Sequence, residues 1–397
     1  MKISINIKYM CLQGLYWMLF CVSVGFISMI LLGRGLTNSQ IGIVTSIFGI
    51  LSALLQPTLG NLCDRFDRLS WKNILPVMLI LYLLICFFMF FVPGKLAGAL
   101  AVGLLLLLGN AIMPFINSIL ASYQYQGITI NFGIARGIGS FMYALLALII
   151  GQVANIYGER CVPLFGMIVS VLMLLLLVTL PYYKGESQEK TEITREASQK
   201  GKTSFVQKYP TFILMIIGCV FLLTSHNVTG TYLLQILQNI GGTSVQYGTT
   251  LSLQAVLEVP VLFCFSYLYK KMHSQSLMAL AAFGYCLKAL SYVLISTMVG
   301  AYIIQMTQMI SFAIYASASV YYTMDSIKKE DQVTGQALMT SVVSLGTVLG
   351  SLIGGFVIDL FGMKTLLILN TAIAFLGMCI VFLSLFLSAK TKKTECI

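Results

Sequence analysis

Four residues stand out because they carry charge, or titrate, where the surrounding sequence is apolar. Glu258 lies in Ala255-Val256-Leu257-Glu258-Val259-Pro260, and Arg136, Lys288 and His226 lie in comparably apolar surroundings. A charge at membrane depth costs roughly 2.5–3.5 kcal/mol on insertion scales, so each needs a partner or a task. Glu258 and Lys288 fall near the middle of consecutive apolar runs, at similar depth, which brings a Glu258–Lys288 contact within reach. Three readings stay open for Glu258: a fixed ion pair holding two helices together, a carboxyl that takes up and releases a proton, or a direct contact to solute. Arg136 presents a planar fork of donors suited to a carboxylate or to sugar hydroxyls; its alternative is snorkelling to the membrane surface. Histidine titrates near physiological pH, making His226 a second proton-coupling candidate beside a purely hydrogen-bonded role. Trp17, with Tyr9 and Tyr16, offers a stacking surface, and Gln56, Asn117 and Gln308 either line a cavity or bond helix to helix.

The elements that must hold these residues are membrane helices. Of 397 residues, 58% are hydrophobic and 9% charged, against roughly a quarter charged in soluble domains. The runs 9–33, 73–94, 137–158 and 161–183 contain no Asp, Glu, Lys or Arg, and each exceeds the roughly 20 residues that a helix needs to cross the hydrocarbon core. No ten-residue alternating segments of a β-barrel occur. The apolar pattern predicts twelve spans: 9–33, 40–62, 73–93, 96–121, 132–155, 160–182, 210–236, 246–269, 275–296, 300–322, 333–358 and 363–388. The first run is of full spanning length without a small-residue cleavage site, so it reads as the first span rather than a signal peptide.

An even count puts both termini on one side. With the termini inside, eighteen of the 24 lysines and arginines fall in tails and inner loops and four, Arg34, Lys95, Arg160 and Lys364, in outer loops. The positive-inside rule therefore places both termini in the cytoplasm. The same asymmetry accounts for the net charge of +11 without a nucleic-acid partner. Residues 183–209, polar and charged of both signs, read as a cytoplasmic linker between halves 1–182 and 210–397. The halves repeat internally: Gln40 and Gly42 match Gln246 and Gly248, and Gly151, Asn155 and Gly158 match Gly355, Asp359 and Gly362. Such a repeat predicts a six-plus-six pseudo-symmetric architecture.

The second span ends in Gly60-Asn61-Leu62-Cys63-Asp64-Arg65-Phe66-Asp67-Arg68, which resembles the G-x-L-a-D-R-x-G-R loop of the major facilitator superfamily, with Phe66-Asp67 in place of an aromatic and a glycine. Gly60, Asp64, Arg65 and Arg68 would then form the loop that latches the halves and changes partners as the transporter flips. Asn131-Phe132-Gly133-Ile134-Ala135-Arg136-Gly137-Ile138-Gly139-Ser140 is similar to the G-R-x-R-x-x-G stretch of the lactose permease-like oligosaccharide, phenylpropionate and nucleoside proton symporters. The resemblance implies a substrate-binding role for Arg136 and relates Gln305, Gln308, Ser311 and Phe312 to the group's tenth helix. Departures matter too: Asn117 stands near the group's acidic partner on helix four, Gln308 and Ser311 replace a histidine and an acid, and His226 and Asn227 occupy the region of missing aspartates. A galactoside is therefore not implied, and the group's coupling residues do not carry over.

These readings predict an all-α secondary transporter, a monomer in the inner membrane, importing a small polar solute (sugar, nucleoside or aromatic acid) with protons. Substrate contacts are assigned to Arg136, Asn117, Gln308, Gln305 and Trp17, and proton coupling to Glu258, His226 and Lys288. Export by the same fold and a non-transporting receptor or assembly role are the alternatives. No nucleophile–base constellation, phosphate-cradling loop or C-x-x-C or H-E-x-x-H spacing occurs, so neither an enzyme, a metal site nor a cofactor is expected.

Overall fold

The computed structural model describes residues 2–65, 70–92, 94–182 and 205–395, excepting the side chains at 2–4, 57, 60–65, 125 and 391–395. The side chains of Gly60, Asp64 and Arg65, all of Arg68, and most of the linker thus lie outside the described residues. Every regular element among the described residues is helical. Among the described residues ten helical stretches are long and apolar enough to cross a membrane, and Phe87, Leu175 and Phe386 are among the large apolar side chains left exposed on them. Helices satisfy their own backbone groups, which lipid cannot do. The chain is an all-α, multi-spanning membrane protein.

In chain order, α1 (Lys2–Phe20) passes through a π-helical turn, Cys21–Gly25, into α2 (Ile27–Gly33). There follow α3 (Asn38–Arg65), α4 (Trp71–Phe91), α5 (Lys95–Tyr125), α6 (Phe132–Tyr157) and α7 (Cys161–Val178). Beyond residue 204 come a short α8 (Phe205–Lys208), α9 (Pro210–Thr231), α10 (Leu233–Gln238), α11 (Ser244–Lys271) and α12 (Ser274–Leu294). The last elements are α13 (Met298–Ile304), α14 (Thr307–Ile310), α15 (Phe312–Ser326) and α16 (Gln332–Glu395).

Twelve separate spans were expected from the apolar pattern, whereas ten long apolar stretches are found among the described residues, because two of the expected breaks are tight turns rather than loops. Residues 132–178 are one helical stretch apart from a 3-10 turn at Gly158–Arg160, and α16 holds two helices joined across a kink. Each junction turns on a glycine with positive φ, Gly158 at +71° and Gly362 at +82°, a backbone state that a side chain disfavours. Conversely, the expected spans 9–33 and 300–322 are interrupted. In the second, Ser311 leaves helical geometry (φ −98°, ψ −94°), and its hydroxyl turns back onto the Thr307 carbonyl at 2.7 Å. The bent backbone lies against Gly284 of α12, where a Cβ would come within 2.7 Å of the Ile310 carbonyl oxygen.

Two apolar cores result. One is built mainly on α1–α7, centred on Tyr9, Tyr16, Tyr82 and Phe26; the other is drawn wholly from residues after 204, around Phe212, Tyr285, Tyr315 and Tyr322. Hydrogen bonds between the residues before 183 and those after 204 concentrate at one end of the bundle. There the Asp359 carboxylate accepts from the Asn38 and Ser39 amides and from Asn38 Nδ2 (3.3, 2.7 and 2.8 Å). An acid placed on the first N–H groups of a helix satisfies donors that the helix itself leaves open. Nearby, the Tyr232 hydroxyl donates to the Ser351 carbonyl at 2.6 Å, Gln235 to Asn38 at 3.0 Å, Tyr247 to the Gly25 carbonyl and Ser28 to the Thr231 carbonyl. Replacing Asp359 with Ala is expected to speed amide exchange at Asn38 and Ser39 about fivefold, the effect of roughly 1 kcal/mol of lost capping. Hydrogen–deuterium exchange on the peptide containing them measures this.

Candidate functional site

Between the two cores lies a cavity of about 390 Å³, at the lower end of the roughly 300–1,000 Å³ typical of ligand sites. Its wall draws on α1, α3, α5 and α6 on one side and on α9, α11, α12, α14, α15 and α16 on the other. Charged and polar side chains gather there in three groups.

The first is built on α6. Asn131 caps that helix, its side chain accepting from the Ile134 amide at 3.1 Å, and Arg136 follows in the second turn. The guanidinium lies over the Trp17 indole, 3.7 Å from the ring centroid, and its Nη1 donates to Ser140 Oγ at 2.6 Å. Gly139 makes room for this stack: a Cβ there would stand 2.3 Å from Trp17 Cδ1. Cation–π contact and a hydrogen bond four residues along fix Arg136 toward the cavity rather than toward the membrane surface.

The second group joins three helices. Gln308 on α14 donates from Nε2 to Glu258 Oε1 on α11 at 2.7 Å and accepts at Oε1 from Lys288 Nζ on α12 at 2.5 Å. The direct Glu258–Lys288 contact expected from matched depth is absent among the described residues; one neutral amide bridges the two. Gln308 lies on α14, the short helix that ends at the Ser311 break, and α14 packs against both α11 and α12. Lys288 and Gln308 are 3% and 2% exposed, so the amide satisfies two buried groups that would otherwise be costly to shelter.

The third group sits on α9. The His226 ring stacks on Phe312 (centroids 4.9 Å apart, 9° between planes) and meets Tyr285 edge-on, and its Nδ1 finds no hydrogen-bond partner among the described residues. Asn227 donates to the Leu223 carbonyl at 2.8 Å and accepts from Thr347 at 3.1 Å.

Of the residues expected from sequence, Trp17, Arg136, His226, Glu258, Lys288 and Gln308 come together on this wall. Two do not. Asn117 is exposed on α5 and outside the lining. Gln305 is fully buried behind it, donating to Tyr292 and to the Ala301 carbonyl and accepting from Gln254 at 2.8 Å. The lining residues that sequence reading missed include Asn110, Ser140, Gln254 and Thr347. Helical spacing held the signal for one of them: Gln254 is one turn before Glu258. Among the described residues no three His, Cys, Asp or Glu side chains converge as a metal site would need.

Membrane-crossing helices around a cavity with charged and polar groups on its wall, closed by hydrogen bonds at one end, have the form of a polytopic membrane transporter. The family model described as the MFS_1 like family matches residues 9–369, and the chain belongs to that family, within the major facilitator superfamily. Its members are transporters rather than enzymes. A comparison with curated proteins finds no match. Among solved structures, the chain is similar to the nucleoside transporter NupG, at TM-score 0.78 and 15% identity over 96% of this chain and 98% of that one. It is also similar to a bacterial homologue of the human lysosomal transporter Spinster in an inward-facing, unoccupied conformation, at TM-score 0.69 and 14% identity over 97% of each chain. At these identities the likeness speaks to the fold.

Proposed function

We propose that this protein is a proton-coupled symporter that imports a small polar organic solute, a sugar, nucleoside or aromatic acid, by alternating access. The observation that carries the reading is Glu258, a carboxylate on the wall of a cavity between two packed units and tied through Gln308 to Lys288. A carboxyl so placed exchanges its proton with the cavity and not with bulk water, which is the requirement for coupling proton and solute movement. Arg136, Trp17 and Gln308 contact the solute, Glu258 and Lys288 handle the proton, and His226 is the second titrating group. Gln305 acts at one remove, by holding Gln254.

In this reading the two double-length stretches count as two crossings each, giving twelve, six in residues 1–182 and six in 210–397, with 183–209 as linker. Both termini face the cytoplasm, and the protein works as a monomer in the inner membrane. The end sealed by Asp359 and Tyr247 is then the outer one. Rocking one half against the other would open it while the loop carrying Gly60, Asp64, Arg65 and Arg68 closes the inner end.

The test is a lightly buffered suspension of de-energised expressing cells challenged with sugars, nucleosides and aromatic acids. Alkalinisation of the medium on adding one solute is the expected result. No pH change across the panel, with insertion verified, would turn the assignment toward export, measured as resistance to toxic compounds.

A further inference from the structure

The charges that face the cavity do not balance. Arg136 and Lys288 bring two cations to the wall, and Glu258 is the one carboxylate among its described residues. Neither cation is within salt-bridge distance of it. Arg136 donates to a neutral hydroxyl, Ser140 Oγ, and Lys288 to a neutral amide, Gln308 Oε1. A guanidinium has five N–H donors in a rigid fork, and the described hydrogen bonds account for one of them. Stacking on Trp17 covers one face of the group and leaves its edge, where those donors lie. Excess positive charge sheltered from water is unfavourable, and a bound anion offsets it.

We propose that the solute is an organic monoanion, a small carboxylic acid in its ionised form, whose carboxylate docks on the free edge of Arg136 with Lys288 nearby. A neutral sugar or nucleoside would leave the surplus charge in place. A phosphate monoester, close to doubly charged at neutral pH, would overshoot it while Glu258 is ionised. Carboxylate geometry matches the guanidinium fork in a bidentate pair, and the Trp17 and Phe312 rings offer apolar walls to the rest of the molecule. The inference rests on the cavity being the solute site, as read above, and selects among the solute classes named there.

The protein contains two tryptophans. Trp71 packs against Tyr182, away from the cavity, so Trp71→Phe leaves Trp17, beneath Arg136, as the only indole. Purified Trp71→Phe protein is titrated, with fluorescence as the readout, against matched acid and neutral solutes: phenylacetate and phenylacetamide, glucuronate and glucose, orotate and uracil. In at least one pair the acid is expected to saturate the Trp17 signal with an affinity about tenfold or more above its neutral partner. Adding Arg136→Gln is expected to remove that preference. Neutral partners binding as tightly as the acids in every pair, or no acid perturbing Trp17, would overturn the proposal. The wild-type selectivity decides the matter even if the arginine variant fails to fold. Acid binding without any proton movement would sink the symport reading and leave this one standing; proton-linked uptake of a neutral solute would do the reverse.

Discussion

Glu258→Gln is expected to abolish uphill accumulation of solute while leaving exchange of labelled for unlabelled solute across the membrane. The substitution preserves shape, and the amide oxygen still accepts from Gln308 Nε2, as Glu258 Oε1 does at 2.7 Å. Only charge and titration disappear. Without a group that binds a proton on one side and releases it on the other, the proton gradient has no purchase on the solute, and the internal concentration should level with the external one. Exchange needs no net proton movement and should persist within about threefold, the ordinary context dependence of a conservative change. Accumulation ratios and counterflow measured on the same vesicles test both halves. Retained accumulation would remove Glu258 from coupling and leave it a structural partner of Lys288.

A second large effect is expected at the sealed end. Gly151 of α6 and Gly248 of α11 press backbone to backbone: a Cβ added at Gly248 would lie 2.4 Å from the Ala147 carbonyl oxygen and 2.9 Å from Gly151 Cα. No flexible side chain is available to move aside. Gly248→Val therefore forces the two helices apart, at a cost of about 1–3 kcal/mol in the sealed arrangement, and a difference of that size shifts a two-state population roughly fivefold to more than a hundredfold. Net uptake should fall at least about fivefold, because the protein is held open at the end that must close. Amide exchange in the peptide spanning Tyr247 should rise in parallel, since the hydrogen bond from its hydroxyl to the Gly25 carbonyl is part of the same seal. Normal uptake in a well-folded Gly248→Val protein would mean that this contact does not govern access.

How much of this was legible beforehand differs from residue to residue, and for physical reasons. Apolar runs of spanning length announce themselves, because lipid imposes one requirement on every residue of a helix. Glu258, Arg136 and Lys288 were legible for the opposite reason: a charge in such a run is expensive and stands out. Their arrangement was not. Gln308 bridges Glu258 and Lys288 from a short helix that ends at the Ser311 break against Gly284, and nothing in the local sequence marks that break. The stack of Arg136 on Trp17 joins residues far apart in the chain and depends on the absence of a side chain at Gly139. Gln305 and Gln308 look alike on paper, yet one is walled in behind Gln254 and the other faces the cavity. The internal repeat pairs Gly151 with Gly355 and Asn155 with Asp359, and three of these four matter to the seal or lie in contact with it; the pattern was visible without its purpose.

Part of the seal is polar, and that bears on energetics. Asp359 on two helix-end amides, Gln235 on Asn38 and Tyr247 on the Gly25 carbonyl are bonds that water can replace one for one. Each group that loses a protein partner when they part gains a solvent one, so a net change near 1 kcal/mol per bond is the ordinary expectation. A carrier whose two conformers are nearly isoenergetic can be tipped by modest differential affinity: a 1:99 ratio is inverted by about 5.5 kcal/mol, and a near-even one by far less. Wettable contacts of this kind keep the two conformers closer in energy than apolar contacts of equal area would.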